Sequence, residues 1–211
     1  MDFSLSRLRS GLTPDQASLE HLAALADDLR SAVDRVAQLL GSTSGQSADL
    51  EAELAAIDAD ATARHMALLT SLRSAFITPL PRQDLYQFSD GLNQAVERVC
   101  NAGLLIRATD QYRLPAPAMD LLEILGRQAE LFREATGQSR DLDELEETWI
   151  QLQRASKRAD RILTDWIIGM TADLLQRTYQ HQREIAHALD GAVDALRQLV
   201  SHLGRVLVRE S

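Results

Sequence analysis

Two prolines in a four-residue window interrupt a sequence that otherwise favours helices. Residues 76–86 contain Pro79 and Pro81. Proline has no amide proton, clashes with the preceding helical turn, and holds the residue before it extended, so no helix continues through this window. We therefore expect one helix to end near the start of this stretch and the next to begin at Arg82. Asp84 then lies in the first turn, against the positive end of the helix dipole.

Helical periodicity predicts an all-α fold for the rest of the chain. Of the 211 residues, 45% are hydrophobic but only 4% aromatic, and no run alternates in the way that a strand requires. The predicted helices span residues 13–40, 48–75, 82–109, 118–135, 141–175 and 181–208. A Thr13-Pro14-Asp15 cap, a polar loop at 41–47 and a Gly137-Gln138-Ser139 break limit three of them. The turn at 176–180 is inferred from length alone, because no residue there breaks a helix.

Apolar residues recur at helical spacing and predict the buried faces. The third helix buries Leu85, Phe88, Leu92, Ala95, Val96, Val99 and Ala102; the fifth buries Leu145, Trp149, Leu152, Ala159, Ile162, Leu163 and Trp166; and the sixth buries Ile185, Leu189, Val193, Leu196, Val200, Leu203 and Leu207.

The two halves of the chain look like diverged copies of each other. Residues 92–99 are similar to residues 189–196, so that Asn93 corresponds to Asp190, and Thr62 corresponds in the same way to Asp160. Such internal repeats are a common way to build helical proteins. We expect a first three-helix half at 1–112 and a second at 113–211, joined at the proline-containing segment 113–117.

The proline window also resembles a family signature. The run Phe-Ile-Thr-Pro-Leu-Pro-Arg-Gln-Asp-Leu-Tyr at 76–86 is similar to that of the Pit accessory proteins, the phosphate-transport regulators of the PhoU-like superfamily. That family typically reads Phe-Ile-Thr-Pro, an Asp-Arg-Glu-Asp-like turn, then Leu-Asp-x-x-x-Asp. The resemblance implies a PhoU-like fold of six helices in two pseudo-repeated three-helix bundles. It also implies a cytoplasmic regulator of an inorganic phosphate transporter of the Pit type, acting by protein–protein contact.

The resemblance further implies acidic metal motifs that this chain keeps only in part. PhoU-like proteins pair two Glu/Asp-x-x-x-Asp motifs in each half, and these carboxylates can hold iron or zinc, since carboxylates four apart on a helix face one cation. The matching pairs here are Asp58 with Thr62, Asn93 with Glu97, Ser156 with Asp160, and Asp190 with Asp194. The candidate ligands are thus Asp160, Asp190, Asp194, Glu97 and Asp58, with His187 on the face of the last pair. A solvated acidic face fits the same pattern.

Composition and motifs exclude several other functions. A formal net charge of −9 argues against nucleic-acid binding, and no apolar run is long enough for membrane insertion or a signal peptide. The single cysteine, Cys100, excludes an internal disulfide and is expected in the core. The one Glu-x-x-His motif, Glu184 with His187, is half of what a di-iron bundle needs. His65, His181 and His202 have no local spacing typical of a triad or zinc site. We expect a protein that is not an enzyme.

Two alternatives to the regulator remain open from the sequence. One is a metal-independent helical adaptor or dimerising scaffold, and the other is a di-metal carboxylate helical-bundle enzyme. The expected partner of the regulator is the cytoplasmic face of a membrane phosphate transporter, which would bring this cytoplasmic chain to the inner membrane as a peripheral protein. The sequence leaves open whether the chain forms a homo-oligomer.

Overall fold

The computed structural model describes residues 16–42, 47–137, 141–173 and 175–210 of the chain. Within those ranges the chain forms six helices and no strand, which confirms the all-α prediction. The helices are α1 (Ala17–Leu39), α2 (Ser47–Ser74), α3 (Arg82–Ala108), α4 (Ala116–Gly137), α5 (Leu142–Asp173) and α6 (Gln176–Glu210).

The proline window separates α2 from α3 where the sequence predicts. Pro81 is the extended residue before α3, with φ −51° and ψ 137°, and Arg82 is the first helical residue. The Arg82 guanidinium reaches back across the turn and donates a 2.6 Å hydrogen bond from Nη2 to the carbonyl oxygen of Ala75. The turn is therefore held by a side chain at the start of α3 as well as by its prolines.

Most of the predicted boundaries are within two residues of the observed ones, but the starts of two helices are wrong. The first helix begins at Ala17, with Gln16 as its N-cap, rather than directly after Thr13. The expected turn at 176–180 lies inside α6, which already begins at Gln176. Its first turn is closed by a 2.9 Å hydrogen bond from the Tyr179 amide to the Leu175 carbonyl. No residue in 176–180 opposes a helix, so all five residues belong to α6. The predicted Thr13-Pro14-Asp15 cap, residues 43–46 of the polar loop and residues 138–139 of the third break lie outside the described residues.

The helices pack side by side in two sets that share long interfaces. In the first set α1, α2 and α3 all contact one another; in the second, α5 contacts α4 and α6, and α4 touches α6 only lightly. The sets are joined by contacts of α1 with α4 and of α3 with α6. At the α3–α6 contact, a Cβ on Gly91 would lie 2.5 Å from Leu199 Cδ2, so the missing side chain permits the close approach.

The core consists of the apolar stripes read from the sequence. Every residue predicted to be buried on α3 and α6 is buried, and on α5 only Trp149 and Ile162 are partly accessible. Cys100 is also buried, as expected. No helix in the described part of the chain has the length and apolarity needed to span a membrane.

Candidate functional site

The structure brings two of the predicted acidic residues of the second half together around an arginine. Asp160 lies on α5 and Asp194 on α6, and Arg197 of α6 contacts both. Arg197 Nη1 donates to Asp160 Oδ1 at 3.1 Å, and its Nη2 donates to Asp194 Oδ1. All three side chains are between two-fifths and one-half exposed. The guanidinium therefore supplies the positive charge that the sequence analysis assigns to a metal ion.

Asp190 lies one helical turn before Asp194 and belongs to the same electrostatic group. Burial raises the pKa of its carboxyl above the ordinary value, and the negative charge of Asp194 raises it further. His187 and Arg197 act in the opposite direction, and Asp160 adds a small increase. The raised pKa shows that this carboxylate is only partly compensated by the cations around it.

The predicted ligands of the first half do not form a comparable group. Thr62 and Glu97 are exposed, whereas Asp58 and Asn93 are partly buried. Asp58 lies close enough to Cys100 to add to the effect of burial, which raises the pKa of that thiol to about 12. Asn93 Oδ1 is buried and has no hydrogen-bond partner among the described residues.

Neither half, as arranged, presents an open metal shell. Within the described ranges, no group of three or more histidine, cysteine, aspartate or glutamate side chains is placed to hold a metal ion. In the second half the reason is visible, because the Arg197 guanidinium lies between the carboxylates that would surround the ion. Iron or zinc at Asp160, Asp190 and Asp194 would have to displace it, and so stays a prediction of the sequence.

Arg197→Gln provides a test of that prediction. Removing the guanidinium leaves carboxylates that repel one another, so a divalent cation should gain affinity for them. At a metal concentration 100 times the Kd, binding would stabilise the fold by about 2.7 kcal/mol, which raises Tm by about 2–4 °C per kcal/mol for a chain of this size. We expect zinc or ferrous iron to raise the Tm of Arg197→Gln more than that of the wild type.

The control for this experiment removes the acidic pair instead. The double variant Asp190→Ala with Asp194→Ala should show no difference in Tm between chelator and metal. If Arg197→Gln also melts at the same temperature with chelator and with either metal, the group is an ordinary solvated acidic face.

A second polar cluster, which the sequence analysis did not predict, joins the start of α3 to the end of α6. Asp84 is buried, with its side chain only 5% exposed, and it contacts Arg209 and His202. Its Oδ2 accepts a hydrogen bond from Arg209 Nη2, and its Oδ1 lies 3.0 Å from His202 Nε2. The imidazole N–H is not aimed along that line, so this contact is a close approach rather than a well-aligned hydrogen bond. We call these three residues the buried ion cluster.

The surroundings of His202 in the buried ion cluster disfavour the protonated imidazole. Burial lowers the pKa of His202 below the ordinary 6.5, and the Asp84 carboxylate only partly offsets this. Two arginines add to the lowering: Arg205, whose Nη2 lies 3.2 Å from His202 Nδ1, and Arg209. Phe88 packs against the imidazole in an edge-on arrangement, with ring centroids 4.9 Å apart.

Next to this cluster the bundle end contains an apolar cleft. It is narrow, with a cavity volume of about 50 Å³. Five helices and the proline turn converge there, and none of the lining residues in the described part of the chain is charged. We call it the apolar cleft; its lining residues are Leu19, Leu22, Leu80, Phe88, Leu92, Phe132, Ala135, Thr136, Leu145, Leu203 and Val206.

The pairing of Arg197 is predictable from the sequence, but the other features are not. Arg197 follows Asp194 by three positions, a spacing that pairs side chains on one helix face. The members of the buried ion cluster lie up to 125 positions apart, and no local pattern connects them. Comparison with known proteins adds no assignment, since no protein-family model matches this chain and no curated protein is significantly similar to it.

Proposed function

We propose that this chain is a regulatory partner of an inorganic phosphate transporter of the Pit type, acting through protein–protein contact. The observation that carries the proposal is the sequence of the proline window, Phe-Ile-Thr-Pro-Leu-Pro-Arg-Gln-Asp-Leu-Tyr at 76–86, which resembles the signature of Pit accessory proteins. In that reading the halves 1–112 and 113–211 are the two pseudo-repeated bundles of a PhoU-like fold.

The contacts between helices support the two-part arrangement. Exchanging α1 with α4, α2 with α5 and α3 with α6 leaves the set of contacting pairs unchanged. The α1–α2 contact then corresponds to α4–α5, and the α1–α4 and α3–α6 contacts each correspond to themselves. A duplicated three-helix unit packed against its own copy gives this pattern, although contacts of α4 with α6 are fewer than those of α1 with α3.

The geometry of the proline window supports a role in binding. The turn is fixed from within, by the Arg82 hydrogen bond to Ala75 and by the contacts of Asp84 with α6. Yet two of its aromatic side chains face outward, with Phe76 85% and Tyr86 43% exposed. Anchored backbone with exposed aromatic side chains is typical of a contact surface, because aromatic residues dominate binding energy at interfaces.

Charge complementarity indicates which surface of the transporter this chain would contact. Cytoplasmic loops of membrane proteins are rich in lysine and arginine, whereas this chain has a formal net charge of −9. Arg197 already pairs with Asp194 and Asp160 on the acidic surface around Asp190, so we place the main attraction elsewhere. The first turns of α5 present Asp143, Glu144, Glu146 and Glu147, all exposed and without an ion pair among the described residues. We call these four residues the acidic patch.

Co-purification at two ionic strengths tests this function. Attraction between exposed charges is screened by salt, so we expect the tagged chain to retain a phosphate transporter from membranes at low salt and to release it at high salt. Deletion of the gene should change phosphate uptake. Glu146→Lys with Glu147→Lys should weaken retention of the transporter, while the matched reversal Asp120→Lys with Glu123→Lys on the exposed start of α4 should not.

The opposite results would favour a different role. If no transporter is recovered at low salt and uptake is unchanged, the metal-independent adaptor or dimerising scaffold becomes the better assignment. Equal loss with both charge reversals would show that net charge alone, rather than the acidic patch, governs the association.

A further inference from the structure

A second cavity, with a volume of about 440 Å³, lies between the segment 113–117, the end of α5 and the beginning of α6. This volume is within the range of about 300–1,000 Å³ that is typical of small-molecule sites. We call it the linker cavity. Its polar lining comes from Arg113, Asp165 and Gln182, and its largest apolar lining residues are Leu114, Trp166 and Met170.

The two charged side chains of the linker cavity are exposed and have no ion-pair partner. Arg113 precedes α4 and Asp165 lies on α5, and neither forms an ion pair or a side-chain hydrogen bond with any described residue, including each other. A ligand with negative charge alone, such as inorganic phosphate, would be attracted by Arg113 but repelled by Asp165. A ligand that has both a positive and a negative group is attracted by both side chains.

The inner part of the linker cavity is apolar, but it includes two residues whose polar groups have no partner. Trp166, Met170 and Gln182 are all buried. The Gln182 amide makes no side-chain hydrogen bond within the described ranges, and neither does the Nε1 of Trp166. Buried polar groups in proteins are generally hydrogen-bonded. The lining therefore suits a ligand that combines an apolar body with hydrogen-bonding groups.

We propose that the linker cavity binds a free amino acid with a large apolar side chain. The α-carboxylate pairs with the Arg113 guanidinium, whose planar fork of donors matches a carboxylate, and the α-ammonium group pairs with the Asp165 carboxylate. The apolar side chain packs against Leu114, Trp166 and Met170. This small-molecule site is separate from the proposed contact with a transporter, and neither depends on the other.

Isothermal titration calorimetry on the full-length chain tests the proposal with L-phenylalanine and two analogues that each lack one charge. 3-Phenylpropanoate lacks the ammonium group, and 2-phenylethylamine lacks the carboxylate. We expect the wild type to bind L-phenylalanine at least tenfold more tightly than either analogue, because each analogue leaves one charged side chain of the cavity without a partner.

Substitution of each charged side chain should then affect one class of ligand only. Arg113→Gln should weaken the binding of L-phenylalanine at least tenfold without weakening that of 2-phenylethylamine. Asp165→Asn should weaken the binding of L-phenylalanine to a similar extent without weakening that of 3-phenylpropanoate. Arg161→Gln is the matched control, because Arg161 is exposed one turn before Asp165 on α5 and does not line the cavity; it should leave all three affinities unchanged.

A larger side chain at Gly169 provides a second readout. Gly169 lines the cavity, and a Cβ there would meet no atom within 4 Å. Leucine also favours a helix more than glycine does, so Gly169→Leu should abolish the binding of L-phenylalanine without lowering Tm. Gly137→Leu is the control, since a Cβ on that exposed glycine of α4 also meets no atom within 4 Å; this variant should bind L-phenylalanine like the wild type.

Four results would each overturn the proposal. The first is that neither L-phenylalanine nor L-leucine binds to the wild type. The second is equal affinity for L-phenylalanine and its two analogues, which would assign the cavity to apolar compounds irrespective of charge. The third is tighter binding of inorganic phosphate than of L-phenylalanine, which would indicate an anion site at Arg113. The fourth is undiminished binding by Gly169→Leu, which would place the ligand outside the linker cavity.

Discussion

Trp166→Ala is expected to lower the free energy of unfolding by about 3–5 kcal/mol, because it empties the site of the bulkiest fully buried side chain in the described part of the protein. The indole is on α5, which packs between α4 and α6, so the cavity would open inside the second set of helices. Urea unfolding followed by circular dichroism measures the effect, and Tm should fall by about 2–4 °C per kcal/mol.

A comparison of the two tryptophans separates loss of volume from loss of a hydrogen bond. The buried Nε1 of Trp166 has no hydrogen-bond partner among the described residues, so Trp166→Phe removes no hydrogen bond within the described part of the protein. It should lower the free energy of unfolding by well under half as much as Trp166→Ala. Trp149 is different, since its Nε1 donates to the Val200 carbonyl at 3.0 Å. Trp149→Phe should lose about 1 kcal/mol for that bond. A Trp166→Phe variant as unstable as the alanine variant would contradict this account.

The fold could be predicted to the extent that it depends on local pattern. The 3.6-residue period of apolar side chains locates the buried faces of α3 and α6 because burial repeats with the helix itself. The double proline fixes the boundary at Arg82 because its effect is steric and local. The beginning of α6 had no such marker. Residues 176–180 are compatible with a helix, and α6 begins at Gln176, after α5 ends at Asp173.

The polar sites could be predicted only where their members share a helix face. Asp190 and Asp194 are four positions apart, and the predicted correspondence between halves added Asp160. The structure connects Asp160 to Asp194 through Arg197. Spacing along a helix says nothing about which residue of another helix faces it. The sequence therefore placed Asp84 only in the first turn of α3, whereas the crossing of α3 with α6 buries it against His202 and Arg209.

The buried ion cluster leads to the prediction with the clearest sign. Arg209→Ala should raise the pKa of His202, because Arg209 lowers it in the folded protein and the buried Asp84 carboxylate would then have the imidazole as its remaining close cationic partner. Asp84→Asn should lower that pKa further, since the carboxylate is the main group that raises it. Titration of the His202 ring protons by NMR measures both shifts.

The same change of protonation makes stability depend on pH in a defined window. In the wild type the folded pKa of His202 lies below its unfolded value of 6.5, so between the two the unfolded chain binds more protons and stability rises with pH. The stabilisation is complete above pH 6.5 and is lost as the pH falls through the folded pKa. His202→Gln should remove this part of the pH dependence. Burial raises the pKa values of Asp28 and Asp190. Their contribution to the stability of the protein is therefore lost as the pH rises from 3.8 through their folded pKa values.

The difference in unfolding free energy between the wild type and His202→Gln reports the contribution of the imidazole alone. The contributions of Asp28 and Asp190 cancel, because both proteins contain them. Unfolding free energies measured at intervals between pH 4.5 and 8 should converge for the two proteins as the pH falls below 6.5. In Arg209→Ala, where the folded pKa of His202 should be higher, the loss of stability on acidification should be smaller than in the wild type. Parallel pH profiles for all three proteins would mean that His202 titrates alike in the folded and unfolded chains. The buried ion cluster would then hold α3 to α6 without sensing pH.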